Sequence, residues 1–144
     1  MSAPQRPPSP PFGARDSGLA AALIAVAALA AYHNSFTGPF VFDDTLAIVE
    51  NTTLRQLGSW DVLRPPAGQG LTVEGRPLLN VSLALNYAFG GPAVFGFHVA
   101  NLAIHLATAL ALFGLIRRTL IRPVLPEPLR AHAAPLALVI ALLW

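Results

Sequence analysis

Two adjacent carboxylates, Asp43 and Asp44, lie in the stretch FVFDDTLAIVENTTL, a few residues after a long run of alanine and leucine. A carboxylate held against apolar walls is disfavoured in its charged form, so its pKa rises and it accepts protons near neutral pH. The sequence therefore predicts a catalytic role for Asp43 and Asp44. The alternative interpretation is that one aspartate caps a helix beginning at Thr45 while the other is merely solvated.

Four polar side chains recur at intervals of three, four and three in a later apolar segment: His98, Asn101, His105 and Thr108. On a helix this spacing places them along one stripe, and polar groups at membrane depth are costly. We expect Asn101, His105 and Thr108 to contribute to helix packing. His98 is near the start of this apolar segment, within reach of a site in the loop that precedes the segment. A metal site is not expected, because no metalloprotease-type spacing occurs.

Arg76 immediately precedes Pro77, which suits the first turn of a helix. Arginine at such a helix end favours an anion, so Arg76 is a candidate for phosphate binding. The alternative is a solvated or salt-bridged surface arginine. The same loop contains glycosylation sequons at Asn51 and Asn80, which imply nothing about glycosylation while the host is unknown.

The composition is typical of a membrane protein, with 54% hydrophobic and 11% charged residues and a mean hydropathy of +0.57. The nine basic residues are all arginine, and the net charge is only +2. Nothing interleaves basic and stacking aromatic residues, so the sequence does not indicate nucleic-acid binding. The absence of cysteine excludes disulfides and cysteine nucleophiles.

Hydropathy and arginine placement divide the chain into successive segments. We predict a disordered Pro-rich cytoplasmic tail at 1–16, a transmembrane helix at 17–34, an extracytoplasmic loop at 35–94, a second transmembrane helix at 95–116, a basic cytoplasmic loop at 117–130 and the start of a truncated third span at 131–144. Two alternatives stay open: the first span is a signal peptide, or the last run is re-entrant or interfacial.

The predicted fold class is all-α and membrane-embedded: a fragment of a polytopic helical bundle with two full transmembrane helices, a truncated third, and short interfacial helices in a long outer loop. In that loop, RPLLNVSLALNYAFGGP spaces Leu78, Leu85 and Phe89 as on a helix that begins at Pro77 and ends at the glycines. Ser59 is the expected N-cap of another short turn.

Four stretches in order, YHNSFTGPFVFDD, IVEN, GRPLLNVSLALNYAFGG and FHVANLAIHL, resemble the start of the transmembrane-and-tetratricopeptide-repeat family. The resemblance covers roughly residues 31–118. Its members are polytopic proteins similar to the GT-C glycosyltransferases, which include the protein O-mannosyltransferases. In those enzymes an acidic residue of the first outer loop acts at the catalytic centre, and Asp43 and Asp44 occupy that place.

The resemblance implies transfer of a sugar from a polyprenyl-phosphate donor to a protein hydroxyl, with Asp43 or Asp44 as proton acceptor and with Arg76 and His98 as donor-phosphate contacts. Membrane lipid, the donor and a protein acceptor are the expected partners, and no cofactor is expected. The chain lacks the later spans and the repeats, so we expect the fragment alone to be inactive. The protein is expected to be an integral, multi-pass membrane protein, in the plasma (inner) membrane if the host is bacterial.

Two other functions stay open. The chain is a non-catalytic membrane anchor or scaffold for a repeat domain that binds proteins, or it is a fragment of a transporter. The transporter interpretation is the weaker, because a transporter places charges at mid-membrane and the two predicted spans contain none.

Overall fold

The computed structural model describes residues 14–68 and 70–144. Every regular element within them is helical, which confirms the all-α class. The α-helices are α1 (Ala14–Tyr32), α2 (Pro77–Gly90), α3 (Val94–Leu120), α4 (Glu127–Ala131) and α5 (Ala133–Leu143). Short 3-10 helices cover η1 (Ser35–Thr37), η3 (Thr52–Arg55) and η4 (Trp60–Leu63), and η2 (Thr45–Val49) is a π-helix.

Two helices are long and apolar enough to cross a membrane. They are Arg15–Tyr32, with a mean hydropathy of 1.3, and Val94–Leu120, in which an 18-residue stretch has a mean hydropathy of 2.0. Most of the surface of both helices is not covered by the rest of the chain. Uncovered apolar surfaces of this kind are typical of helices that contact lipid or other membrane helices.

The helix bounds differ from the predicted segments at several points. Residues 14–16 of the predicted tail belong to α1, and the remainder of that tail, 1–13, lies outside the described residues. The second long helix continues past Ile116 to Leu120, so Arg117 and Arg118 lie in its last turn, where positive charge complements the helix dipole. The last apolar run is interrupted at His132, between α4 and α5.

Internal contacts group the chain into two units, 14–31 with 104–144, and 32–103. The first unit is held together by small residues on three helices. The buried side chains that pack against one another are Ala20 and Ile24 of α1, Ala109 and Phe113 of α3, and Ala137 and Ala141 of α5. Alanine lets helix backbones approach closely. Arg117 Nη1 also donates to Ser17 Oγ at 3.2 Å.

The 32–103 unit has a core gathered from its short helices, α2 and the first turns of α3. The buried apolar side chains are Ala47, Ile48, Leu54, Val62, Val73, Ala84 and Phe97. Ser59 caps η4, as expected, because its hydroxyl accepts from the Asp61 backbone amide at 3.2 Å. The outer loop is therefore a packed structure with its own core.

Helix α2 begins at Pro77 and ends at Gly90, as its sequence predicts. Gly91 then adopts a φ of 60°, a conformation that favours glycine. The inward face, however, consists of Asn80 and Ala84, both 0% exposed, while Leu78 is 81% and Phe89 90% exposed. The large apolar side chains therefore face outward. Their contact with a membrane surface stays a prediction.

Candidate functional site

The two aspartates lie in a tight turn that starts at Val41. The Asp44 amide donates to the Val41 carbonyl at 3.1 Å, and the Val41 amide donates back to Asp44 Oδ2 at 3.2 Å. Between them, Phe42 has a φ of 50°, an uncommon conformation for a bulky residue. Strained residues of this kind persist where neighbouring contacts hold them, and they cluster at functional sites. The strained residue directly precedes Asp43.

Asp43 is exposed, and the Thr72 hydroxyl donates a hydrogen bond to its Oδ2. This bond, followed by one from a backbone amide, lowers the pKa of Asp43 because both favour the charged form. The expectation of a raised pKa is therefore wrong for Asp43, because solvent rather than an apolar wall surrounds its carboxylate. The result is an ionised carboxylate that faces solvent.

Asp44 is half-buried and precedes η2, yet its side chain makes no capping bond to that helix. Its carboxylate turns back to the Val41 amide instead. The alternative interpretation, that an aspartate caps the helix at Thr45, is therefore wrong for Asp44. Asp44 fixes the turn that presents Asp43.

The segment leading to this turn packs on the first turns of α3. The rings of Phe36 and Phe95 lie 5.7 Å apart, and those of Phe40 and Phe97 meet edge to face at 5.5 Å. Edge-to-face aromatic pairs contribute about 0.5–1.5 kcal/mol beyond the area they bury. The acidic turn is therefore tethered to α3 through its preceding residues.

His98 Nε2 is buried and has no hydrogen-bond partner among the described residues. It lies beside Gly38, where an added Cβ would come within 3.8 Å of it. Buried polar atoms are nearly always paired, so an unpaired ring nitrogen requires an explanation. A polar ligand group is one such explanation, and the predicted contact between His98 and phosphate stays a prediction.

Arg76 occupies the N-cap position of α2 with an exposed side chain that makes no capping bond. Within residues 14–68 and 70–144, no hydrogen bond or ion pair links Arg76 or His98 to either aspartate. The structure therefore places Asp43 and Asp44 in one turn, but among the described residues it shows no bond between that turn and Arg76 or His98, the predicted phosphate contacts. No group of three or more potential metal ligands occurs in the described part of the chain.

The polar stripe on α3 is largely uncovered by other parts of the chain. Asn101 and Thr108 are exposed and His105 is half-buried. The Thr108 hydroxyl donates to the Ile104 carbonyl of its own helix at 2.8 Å. The role of Asn101, His105 and Thr108 in helix packing stays a prediction.

A closed ring of side-chain hydrogen bonds lies in the interior of the 32–103 unit, and the sequence gives little sign of it. Asn51 Nδ2 donates to Asn80 Oδ1 at 2.8 Å, Asn80 Nδ2 donates to Thr53 Oγ1 at 2.9 Å, and Thr53 Oγ1 donates to Asn51 Oδ1 at 2.7 Å. Asn51 and Asn80 are 1% and 0% exposed.

Besides the bond that the Thr53 amide donates to Asn51 Oδ1 at 3.1 Å, two bonds connect this polar ring to backbone carbonyls. Asn51 Nδ2 donates to the Ala47 carbonyl at 3.1 Å, and Asn80 Nδ2 donates to the Val62 carbonyl at 2.8 Å. The polar ring thus joins η2, which directly follows the acidic pair, to η3, η4 and α2. Networks in which every group is satisfied rigidify the structure that contains them.

Comparison with known proteins finds relatives that are named protein O-mannosyl-transferases. The chain is 34% identical over 99 residues to "Protein O-mannosyl-transferase Tmtc1" of Drosophila melanogaster, covering 62% of this chain. It is 34% identical over 112 residues to mouse "Protein O-mannosyl-transferase TMTC1", covering 72%, and 30% identical over 149 residues to human "Protein O-mannosyl-transferase TMTC4", covering 93%.

The chain spans 11%, 12% and 18% of the length of these three relatives. No family model matches it, and no solved structure matches it significantly.

Proposed function

We propose that this chain, which belongs to the transmembrane-and-tetratricopeptide-repeat family, contributes the acidic site of a membrane glycosyltransferase. The chain is a membrane protein. The reaction is the transfer of a sugar, mannose by the names of the relatives, to a hydroxyl of a protein acceptor. The donor is a polyprenyl-phosphate sugar, and the enzyme is of the GT-C type.

The observation that supports this proposal best is the exposed, ionised carboxylate of Asp43 in a strained turn shortly after the first apolar helix. The serine or threonine oxygen of the acceptor forms a bond to the anomeric carbon. The bond from that carbon to the donor phosphate breaks, and the phosphate leaves with the electron pair. Asp43 takes the hydroxyl proton, and no strong general acid is needed because phosphate is already a good leaving group.

The other residues have supporting roles. Asp44 is a positioning residue, because its carboxylate binds the Val41 amide across the turn. Arg76 and His98 contact the donor phosphate. The exposed guanidinium of Arg76 at the start of α2 and the unpaired Nε2 of His98 support that assignment.

Catalysis requires more protein than this chain, because the chain spans only 11–18% of the relatives' length. In the whole protein the 32–103 unit lies on the outer side, and the arginine-bearing ends of the two apolar helices lie on the cytoplasmic side. The protein is multi-pass, and in a bacterial host it resides in the plasma membrane.

The test measures mannose transfer from polyprenyl-phosphate mannose to a serine- and threonine-containing peptide, with the full-length protein that contains this chain. Asp43→Asn should lower kcat by about 10²–10⁴-fold, the contribution typical of a positioned proton acceptor. Asp44→Asn retains an acceptor oxygen for the Val41 amide and should lose far less activity than Asp44→Ala. Arg76→Gln should raise KM for the donor.

Each variant is first shown to unfold at the wild-type temperature, so that loss of activity is not loss of fold. Wild-type activity in Asp43→Asn would overturn the assignment of Asp43. If the double variant Asp43→Asn with Asp44→Asn also retained full activity, the chain would be a membrane anchor for the rest of the protein.

A further inference from the structure

Both glycosylation sequons of the chain, Asn51-Thr52-Thr53 and Asn80-Val81-Ser82, run through the polar ring. We propose that folding of the 32–103 unit closes both sequons to N-glycosylation. A glycan on Asn51 or Asn80 then marks a chain that acquired it before folding. This inference does not depend on the proposed sugar transfer by the protein itself.

N-glycosylation requires a free side-chain amide. The asparagine Nδ2 forms a bond to the anomeric carbon of a lipid-diphosphate oligosaccharide, and the bond from that carbon to the diphosphate breaks. The diphosphate leaves with the electron pair, and one Nδ2 proton passes to a base of the oligosaccharyltransferase. The amide must therefore reach the transferase with a hydrogen available.

Neither asparagine has such a hydrogen in the folded unit. Asn51 Nδ2 donates to the Ala47 carbonyl and to Asn80 Oδ1. Asn80 Nδ2 donates to Thr53 Oγ1 and to the Val62 carbonyl. Since an amide has two N–H groups, both groups of each asparagine are committed.

The hydroxyl residues of the two sequons are committed as well. Thr53 Oγ1 donates to Asn51 Oδ1, and Ser82 Oγ donates to the Leu79 carbonyl at 2.7 Å. The two asparagines are at most 1% exposed, so a glycan has no room beside either of them. Modification therefore requires opening of the whole polar ring.

The test incubates purified, folded chain in detergent with a single-subunit oligosaccharyltransferase that accepts Asn-x-Ser/Thr and with its lipid-diphosphate oligosaccharide. Unstructured peptides give the rate for an open sequon: one covers residues 47–57, one covers 76–86, and one covers 53–63 with the Leu57→Asn substitution. The matched control is Leu57→Asn, which creates an Asn-Gly-Ser sequon at a position that is exposed in the loop before η4. Its Ser59 hydroxyl is also hydrogen-bonded, to Asp61 Oδ2 at 2.8 Å, so this control differs from the native sequons in the exposure of its asparagine.

For each sequon the measured quantity is the rate in the protein divided by the rate in its peptide. We expect this ratio to be at least about 100-fold lower for Asn51 and Asn80 than for the sequon created at position 57, since only rare openings expose buried groups. A similar ratio at all three positions overturns the proposal.

A second measurement is independent of any transferase. Nuclear magnetic resonance of asparagine side-chain amides should show that the Nδ2 hydrogens of Asn51 and Asn80 exchange with solvent at least about 100-fold more slowly than those of exposed Asn34. Exchange of all three amides at one rate also overturns the proposal, because the polar ring would then be open in the folded protein.

Discussion

Replacing Asn80 with alanine removes three side-chain hydrogen bonds at once from the centre of the 32–103 unit. Asn80 accepts from Asn51 Nδ2 and donates to Thr53 Oγ1 and to the Val62 carbonyl, all within 2.9 Å. Each hydrogen bond contributes about 1 kcal/mol net, and a buried partner left unpaired costs about 1–3 kcal/mol. We expect Asn80→Ala to lower the free energy of unfolding by about 3–5 kcal/mol, a large share of the roughly 5–15 kcal/mol typical of a domain.

The assay follows thermal unfolding in detergent by tryptophan fluorescence. Trp60 lies in η4 and is 79% exposed, so a Trp144→Phe background leaves one surface reporter that belongs to the 32–103 unit. For a domain of roughly 60–100 residues, 1 kcal/mol shifts Tm by about 4–8 °C. The Tm of Asn80→Ala should therefore fall by at least about 12 °C.

The control is Asn34→Ala, because Asn34 is exposed and its side chain makes no capping bond. It should change stability by no more than about 0.5 kcal/mol. If Asn80→Ala behaved like this control, the polar ring would not stabilise the unit. In addition, Asn51→Ala and Asn80→Ala should be non-additive, since either substitution opens the same ring.

Two further predictions concern the surroundings of the site. Thr72→Val should raise the pKa of Asp43, which carboxyl carbon NMR measures directly. In the wild type, the lowered pKa means that the Asp43 carboxylate stabilises the fold at pH values above its unfolded-state pKa. This stabilisation is lost as the pH falls through the folded-state pKa of Asp43. An unchanged pKa would show that Thr72 is not the cause. Gly96→Ala places a Cβ 2.9 Å from Asn86 Oδ1 and strains the bond from Asn86 Nδ2 to the Gly96 carbonyl, so it should lower stability by about 1–2 kcal/mol in thermal unfolding. Gly114→Ala, which meets open space, should be neutral or stabilising, and equal effects of the two glycine changes would contradict the packing argument.

The sequence was sufficient wherever the deciding interaction is local. Hydropathy located both long apolar helices, because crossing a membrane depends on length and composition alone. Pro77 and Gly91 bounded α2 for equally local reasons, one at the first turn and the other through a positive φ. Ser59 was recognisable as an N-cap since it bonds only two residues along the chain.

Local reasoning left open which face of α2 packs inward, and it was wrong about the pKa of Asp43. Spacing groups Leu78, Leu85 and Phe89, but it does not say whether that face turns inward, and Asn80 lies inward instead. The pKa of Asp43 depends on Thr72, 29 residues away, which no motif associates with it.

The sequence by itself therefore determined the two helices that are long and apolar enough to span a membrane, the bounds of α2, and that two carboxylates follow the first long helix. The tertiary structure alone decided how those carboxylates are held, through the strained turn at Phe42 and the bond from Thr72. It also decided that Asn51 and Asn80 are interior groups rather than exposed sequons. The physical reason is separation along the sequence. Hydropathy, capping and φ preferences act between residues within a turn or two of each other, whereas a hydrogen bond between residues separated by 29 positions exists only once packing has brought them together.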